Sequence, residues 1–162
     1  MMPIFCSSIG TFIKIFNLTL FRMKIMICGS MTFANNMLKT KQILEKMGHE
    51  ITIPTDTLEI ASGTHNHDDL DADYNYCVKN DIMRTHFKFI EESDAVLVLN
   101  HDKNEIKGYI GTASLMEIGL AHHFHKKIFL LQDLPHHSEQ RWAHEVRIMQ
   151  PVILHGDFSK IQ

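Results

Sequence analysis

Apolar residues in this chain come in short unbroken runs, and between the runs their spacing turns helical. Met23-Lys24-Ile25-Met26-Ile27-Cys28, the stretch 49–54, Asp94-Ala95-Val96-Leu97-Val98-Leu99-Asn100, the stretch 127–131 and Pro151-Val152-Ile153-Leu154 each read as a strand. Continuous Val/Ile/Leu runs mark strands covered on both faces. Residues 33–47 read as a helix: Phe33, Met37, Leu38, Ile43, Leu44 and Met47 form its apolar face, and Gly48 ends it. The polar stretch 55–73 predicts a loop over the sheet edge, a potential lid. A long helix is expected over 74–92, with Ile82, Met83, Phe87, Phe89 and Ile90 on the buried side. Further helices are expected over 112–125 and, capped by Ser138, over 138–149, with a terminal turn at 157–161. Strands alternating with helices predict an α/β, flavodoxin-like (Rossmann-like) three-layer sandwich around a five-stranded parallel sheet.

Residues 1–22 break this rhythm. They are rich in Ile, Phe and Leu, but Lys14 and Asn17 interrupt the run and no small-residue cleavage site follows. The reading is an N-terminal apolar extension ahead of a domain over 23–162. A membrane-surface or partner-docking helix is the alternative, since a span would need about 20 apolar residues.

The net charge of -3 gives no basic surface for nucleic acid. Three widely spaced cysteines, Cys6, Cys28 and Cys77, form neither a CxxC site nor a disulfide framework and suggest a reducing, cytoplasmic setting. His122, His123 and His125, and separately His65 and His67 with Asp68 and Asp69, raise the question of a metal. Neither group has the spacing of a zinc motif, so no metal and no cofactor are expected.

The chemistry concentrates after the 94–100 run. There a glycine-containing loop, Tyr109-Ile110-Gly111-Thr112, opens into a helix carrying Glu117. Unpaired N–H groups at a helix start bind phosphate, and glycine lets a backbone approach it. A carboxylate at the carboxyl edge of a parallel sheet lies where open α/β folds hold ligands. Such a carboxylate stabilises the oxocarbenium-like state of N-glycosidic cleavage or bonds the sugar covalently. The bland alternative is a solvated glutamate near a helix N-terminus. Ser30, after the first strand, is a second phosphate donor or a plain turn residue. Asn100 ends the 94–100 run at the same edge and is a candidate for ribose. Asp94, at the opposite end, reads as structural. His101, Asp102 and Lys103 read as solvated loop residues, and Trp142 as a packing or dimer contact.

Met26-Ile27-Cys28-Gly29-Ser30, Ser93-Asp94-Ala95-Val96-Leu97-Val98, and Gly111-Thr112 followed by Met116-Glu117-Ile118-Gly119-Leu120-Ala121 resemble the nucleoside 2-deoxyribosyltransferase superfamily, which includes the 2'-deoxynucleoside 5'-phosphate N-hydrolases. The likeness runs in matching order over about residues 23–131. It implies a flavodoxin-like homodimer or higher oligomer acting on a nucleoside or nucleotide. Glu117 is then the nucleophile at the sugar anomeric carbon. Gly29, Ser30 and Met31, with Gly108, Gly111 and Thr112, hold the sugar or its 5'-phosphate. Where family members carry an aspartate before the third strand, this chain offers His86, with Asp81 about a turn earlier. The glycine loop also looks like that of cytokinin-riboside phosphoribohydrolases, which cleave the same kind of bond. A nucleotide-binding sensor without turnover, and a partner-binding protein docked through residues 1–22, stand as the other readings.

Overall fold

In the computed structural model, which describes residues 22–162, five strands pair in parallel in the order β2-β1-β3-β4-β5. They are β1 (Lys24–Cys28), β2 (Glu50–Thr52), β3 (Ala95–Val98), β4 (Lys127–Leu130) and β5 (Val152–Ile153). The helices are α1 (Ala34–Lys46), α2 (Thr57–Ala61), α3 (Leu70–Lys79), α4 (Ile82–Glu92), α5 (Thr112–His123) and α6 (Trp142–Ile148). Short 3-10 turns cover Met31–Phe33 and Phe158–Lys160. This is the expected α/β, three-layer, Rossmann-like architecture with the flavodoxin-type strand order. The expected extension over 1–22 lies, Arg22 aside, outside the described residues.

The unbroken apolar runs are explained by two cores. Alternate strand residues face opposite sides of a sheet. Ile25, Ile27, Leu97 and Phe129 pack with Met37 and Leu44 of α1 and with Leu154 and Ile161 near the C-terminus. Met26, Val96, Val98, Ile128 and Leu130 pack with Ile90 of α4, Ile118 and Ala121 of α5 and Val146 of α6. Each Val, Leu, Ile, Met or Phe side chain so buried contributes about 1.5–3 kcal/mol. Asp94 is structural, as its position suggested: its carboxylate accepts the Lys24 N–H at 2.8 Å, tying the start of β1 to that of β3.

Three local expectations need correction. The stretch 55–73 is not one loop: it forms α2 and the start of α3, which is capped by Asp69 accepting the Ala72 N–H at 3.2 Å. The long helix over 74–92 is two helices. Asp81, at φ 47°, breaks it between α3 and α4 in a left-handed conformation that aspartate tolerates. Below the break Ile82, His86 and Ile90 point inward, whereas α3 buries no residue. Ser138 caps nothing; its hydroxyl pairs with His136, and α6 begins only at Trp142, a half-buried packing residue.

In a sheet of this order, the chain winds to opposite sides from β1 and β3, and a crevice opens beyond their carboxyl ends. Gly29 and Ser30 follow β1 there, and the loop from Asn100 to Gly111 leads from β3 into α5.

Candidate functional site

A cavity of about 280 Å³ opens at this crevice. Gly29, Ser30 and Met31 line it from β1, Gly111, Thr112, Ala113, Ser114 and Glu117 from α5, and His86 from α4. The far wall is Pro54 and Asp56 after β2, Asp73 and Cys77 of α3, and Ile82 and Met83 of α4. The structure thus brings together seven of the nine residues expected from the sequence.

The other two lie elsewhere. Asn100 is fully buried; its amide donates to the carbonyls of Gln132 (2.9 Å) and Asp133 (3.4 Å), and its Oδ1 accepts the Gln132 N–H (2.9 Å). It clamps the end of β3 to the end of β4, with both amide hydrogens spent and the side chain buried away from the cavity. Gly108 donates its N–H to Asp102 and lines a separate surface hollow with His101, Lys107, Gln132 and Asp133. Glycine is required there by packing, since a Cβ would stand 2.1 Å from the Asp133 carbonyl oxygen at φ +60°.

Glu117 is not the solvated helix glutamate of the bland reading: it is 4% exposed. Ser114, Glu117, Ile118 and Ala121 form the buried stripe of α5. The first two look into the cavity and the last two into the core. Oε1 of Glu117 is 3.6 Å from Nδ1 of His86, itself buried. Beneath it lies Cys28. Full burial pushes the Cys28 thiol well above its ordinary range, and the Glu117 carboxylate beside it raises it further. The sulfur therefore stays protonated, and its S–H donates to the Met26 carbonyl at 4.0 Å.

The start of α5 supplies unspent donors. Gly111 stands at the N-cap position, where it has no side chain to cap the helix. The first helical N–H groups have no intrahelical partner and form an anion-attracting end. Gly111 has an ordinary backbone conformation, and a Cβ there would touch only the Tyr109 ring, so the missing cap is its contribution.

Sequence reasoning overlooked Lys103, which is not a solvated loop residue. Asn104 and Glu105 both take positive φ, folding Lys103 and Ile106 into a tight antiparallel turn. That turn sends Lys103 Nζ to Ser30 Oγ (3.0 Å) and Thr32 Oγ1 (2.7 Å), with the Tyr109 ring centroid 5.5 Å away. His67 Nε2 reaches the same Thr32 hydroxyl at 3.5 Å. Two hydroxyls, an ammonium and an imidazole thus gather where Ser30 meets the cavity. Nothing local in the sequence marks Lys103, because the pairing spans the chain from β1 to the β3–α5 loop.

Asp56, Asp73 and Cys77 were also overlooked, lying in stretches read as loop and helix surface. Asp73 accepts from His65 Nε2 or pairs with it at 2.8 Å, and Cys77 Sγ donates to its other oxygen at 3.7 Å. Burial and Asp73 together push the Cys77 thiol up to about 11, so it is no nucleophile at neutral pH. Among the described residues no group of three or more His, Cys, Asp or Glu side chains is arranged to hold a metal ion, and no helix is long and apolar enough to cross a membrane. No model of a known protein family and no curated protein matches this chain.

Proposed function

We propose that this protein cleaves, or transfers at, the N-glycosidic bond of a nucleoside 5'-monophosphate or nucleoside, with Glu117 as the nucleophile. The observation that carries the reading is a glutamate 4% exposed, facing a ligand-sized cavity in the second turn of a helix whose start has no side-chain cap. In the proposed reaction the carboxylate bonds the anomeric carbon as the C–N bond breaks and its electron pair leaves with the base. Water or a second base then displaces the sugar from Glu117, restoring the carboxylate, and the proton lost by the attacking O–H or N–H ends on the base released. The uncapped start of α5, Ser30 and Lys103 are the donors for the 5'-phosphate. The resemblance carried by Gly29-Ser30, Gly111-Thr112 and Met116 to Ala121 supports the same chemistry.

A cytoplasmic homodimer belongs to this proposal. Leu70, Tyr74 and Val78 recur every fourth residue along α3 and are 75%, 66% and 62% exposed, a stripe suited to a second copy.

Replacing Glu117 with Gln tests the reaction. Incubated with a panel of nucleosides and 5'-monophosphates, the native protein is expected to release free base, read by chromatography. The Glu117→Gln protein is expected to release none while binding the same ligands within a few-fold. Full turnover by the variant would remove Glu117 from the chemistry. Nucleotide binding without base release from any member would leave a sensor module instead.

A further inference from the structure

Three carboxylates look into the cavity, and two of them are accounted for. Asp73 has His65 and Cys77, and Glu117 has the His86 imidazole at 3.6 Å. Asp56 has nothing comparable. The residue is 4% exposed, and its Oδ1 is buried with no hydrogen-bond partner among the described residues. Its position makes this stranger. Asp56 is the N-cap residue of α2, where an aspartate ordinarily bonds the N–H groups of its own first turn, yet its side chain makes no capping bond. The neighbouring hydroxyl, Thr57 Oγ1, donates to the Pro54 carbonyl at 2.7 Å. The Asp56 backbone is held, its carbonyl accepting the Ile60 N–H at 3.0 Å. Oδ1 is therefore fixed in a buried place without a partner, which is costly unless a donor arrives from outside.

The geometry points to Asp56 as the residue that reads the base, by accepting an N–H from an amino-bearing one. This rests on the nucleotide reading above. Donors suited to a phosphate gather at the start of α5, Ser30 and Lys103, and a carboxylate repels that end of the ligand. Glu117 marks the anomeric carbon. His86 stands between the two carboxylate regions: Nδ1 faces Glu117 and Nε2 accepts the N–H of Thr55, the residue before Asp56, at 3.4 Å. Beyond His86, Pro54, Ile82 and Met83 give the far wall apolar surfaces that suit a flat ring, and the polar Asp73 and Cys77 beside them pair with each other. An unpaired acceptor among such walls selects a ring presenting an amino group over one presenting a carbonyl oxygen. A carbonyl there would leave two acceptors facing each other with no proton between them. Among the described residues the three carboxylates are not arranged with each other or with His or Cys to hold a metal ion.

Calorimetry on the full chain tests this with the 5'-monophosphates of adenosine and inosine, and of cytidine and uridine, in ribose and 2'-deoxyribose forms. Each pair exchanges an amino group for a carbonyl oxygen and, beside it, a bare ring nitrogen for a ring N–H. The amino-bearing member is expected to bind at least about tenfold more tightly, and Asp56→Asn, whose amide both donates and accepts, is expected to bring each pair within about threefold. The unliganded Asp56→Asn protein is expected to melt higher than the native one, because the amide can both donate and accept where the carboxyl group lacks a partner. Equal native affinities within both pairs, or a preference that survives Asp56→Asn, would overturn the assignment while leaving the nucleotide reading standing. So would a uniform loss of affinity for all ligands, the mark of a sugar contact, or a lower melting temperature, the mark of a structural aspartate. Binding of none of the ligands would overturn the nucleotide reading and this one with it.

Discussion

His86 Nδ1 lies 3.6 Å from Glu117 Oε1, while Nε2 on the other side of the ring accepts the Thr55 N–H at 3.4 Å. The second contact settles the orientation of the first. A nitrogen that accepts a backbone N–H carries no proton, so in the neutral ring the proton is on Nδ1, directed at Glu117. One imidazole thus stands between the β2–α2 loop and α5, and it packs beside the carboxylate. His86→Ala should leave Glu117 buried without this neighbour and free to turn. Base release is expected to fall by about one to two orders of magnitude, with stability reduced by about 1–3 kcal/mol. Single-turnover kinetics and denaturant unfolding measure the two effects. Unchanged turnover would mean that His86 only fills space.

Lys103 gives a prediction confined to one end of the ligand. With its ammonium drawn to Ser30 and Thr32, Lys103→Ala should weaken binding of a 5'-monophosphate by about tenfold, or about 1.4 kcal/mol, and leave the matching nucleoside unaffected. The difference should shrink as salt rises, since part of it is screened charge. Titration calorimetry on one nucleotide–nucleoside pair at two ionic strengths reads this directly. Equal losses for both ligands would move the phosphate elsewhere.

Two glycines should respond in opposite directions. Gly108→Ala forces a Cβ against the Asp133 carbonyl oxygen at a positive φ, and is expected to cost about 1–3 kcal/mol. Gly119 lies within α5 with open space beside it, so Gly119→Ala is expected to stabilise by about 0.5–1 kcal/mol through helix propensity alone. Urea unfolding of both variants decides. A destabilised Gly119→Ala protein would show that another chain occupies that space.

Burial of His49 carries a pH dependence. Its Nδ1 accepts the Met23 N–H at 3.3 Å, and burial holds the ring below its ordinary value of 6.5. The folded state therefore binds the proton less readily than the unfolded one. The stabilisation is complete above 6.5 and is lost as pH falls below that toward the depressed folded value. His101, lowered mainly by burial and partly restored by Asp102, acts in the same direction. His49→Asn keeps an acceptor without a titration, so its stability should fall less steeply between about pH 7 and pH 5. Parallel slopes for the two proteins in thermal melts across that range would exclude His49 as the source.

The stripe on α3 bears on assembly. Replacing Tyr74 and Val78 with Glu places two charges on exposed apolar positions and, if a second copy covers them, should shift the protein to monomer in sedimentation. An unchanged sedimentation coefficient would leave the stripe uncovered.

The five apolar runs determined five parallel strands, because only burial on both faces calls for unbroken Ile, Val and Leu. The loop-to-helix sequence around Gly111 determined that Glu117 would stand near the carboxyl edge of the sheet, and Ser30 followed from the end of β1 in the same way. These are local consequences of period and punctuation. Asp81 was less legible: aspartate also favours helix starts, and only its left-handed backbone shows that two helices meet there. Asn100 resembled a ligand residue at the sheet edge, yet the Gln132 and Asp133 backbone groups that claim it come from a segment more than thirty residues later. Asp56 and Lys103 are residues of ordinary type in polar stretches. The tertiary structure alone decided that one would be buried without a partner and the other drawn to Ser30 across the chain. Period and turn chemistry act over a few residues and are written in their order, whereas desolvation and charge pairing depend on what the folded chain brings within a few ångströms.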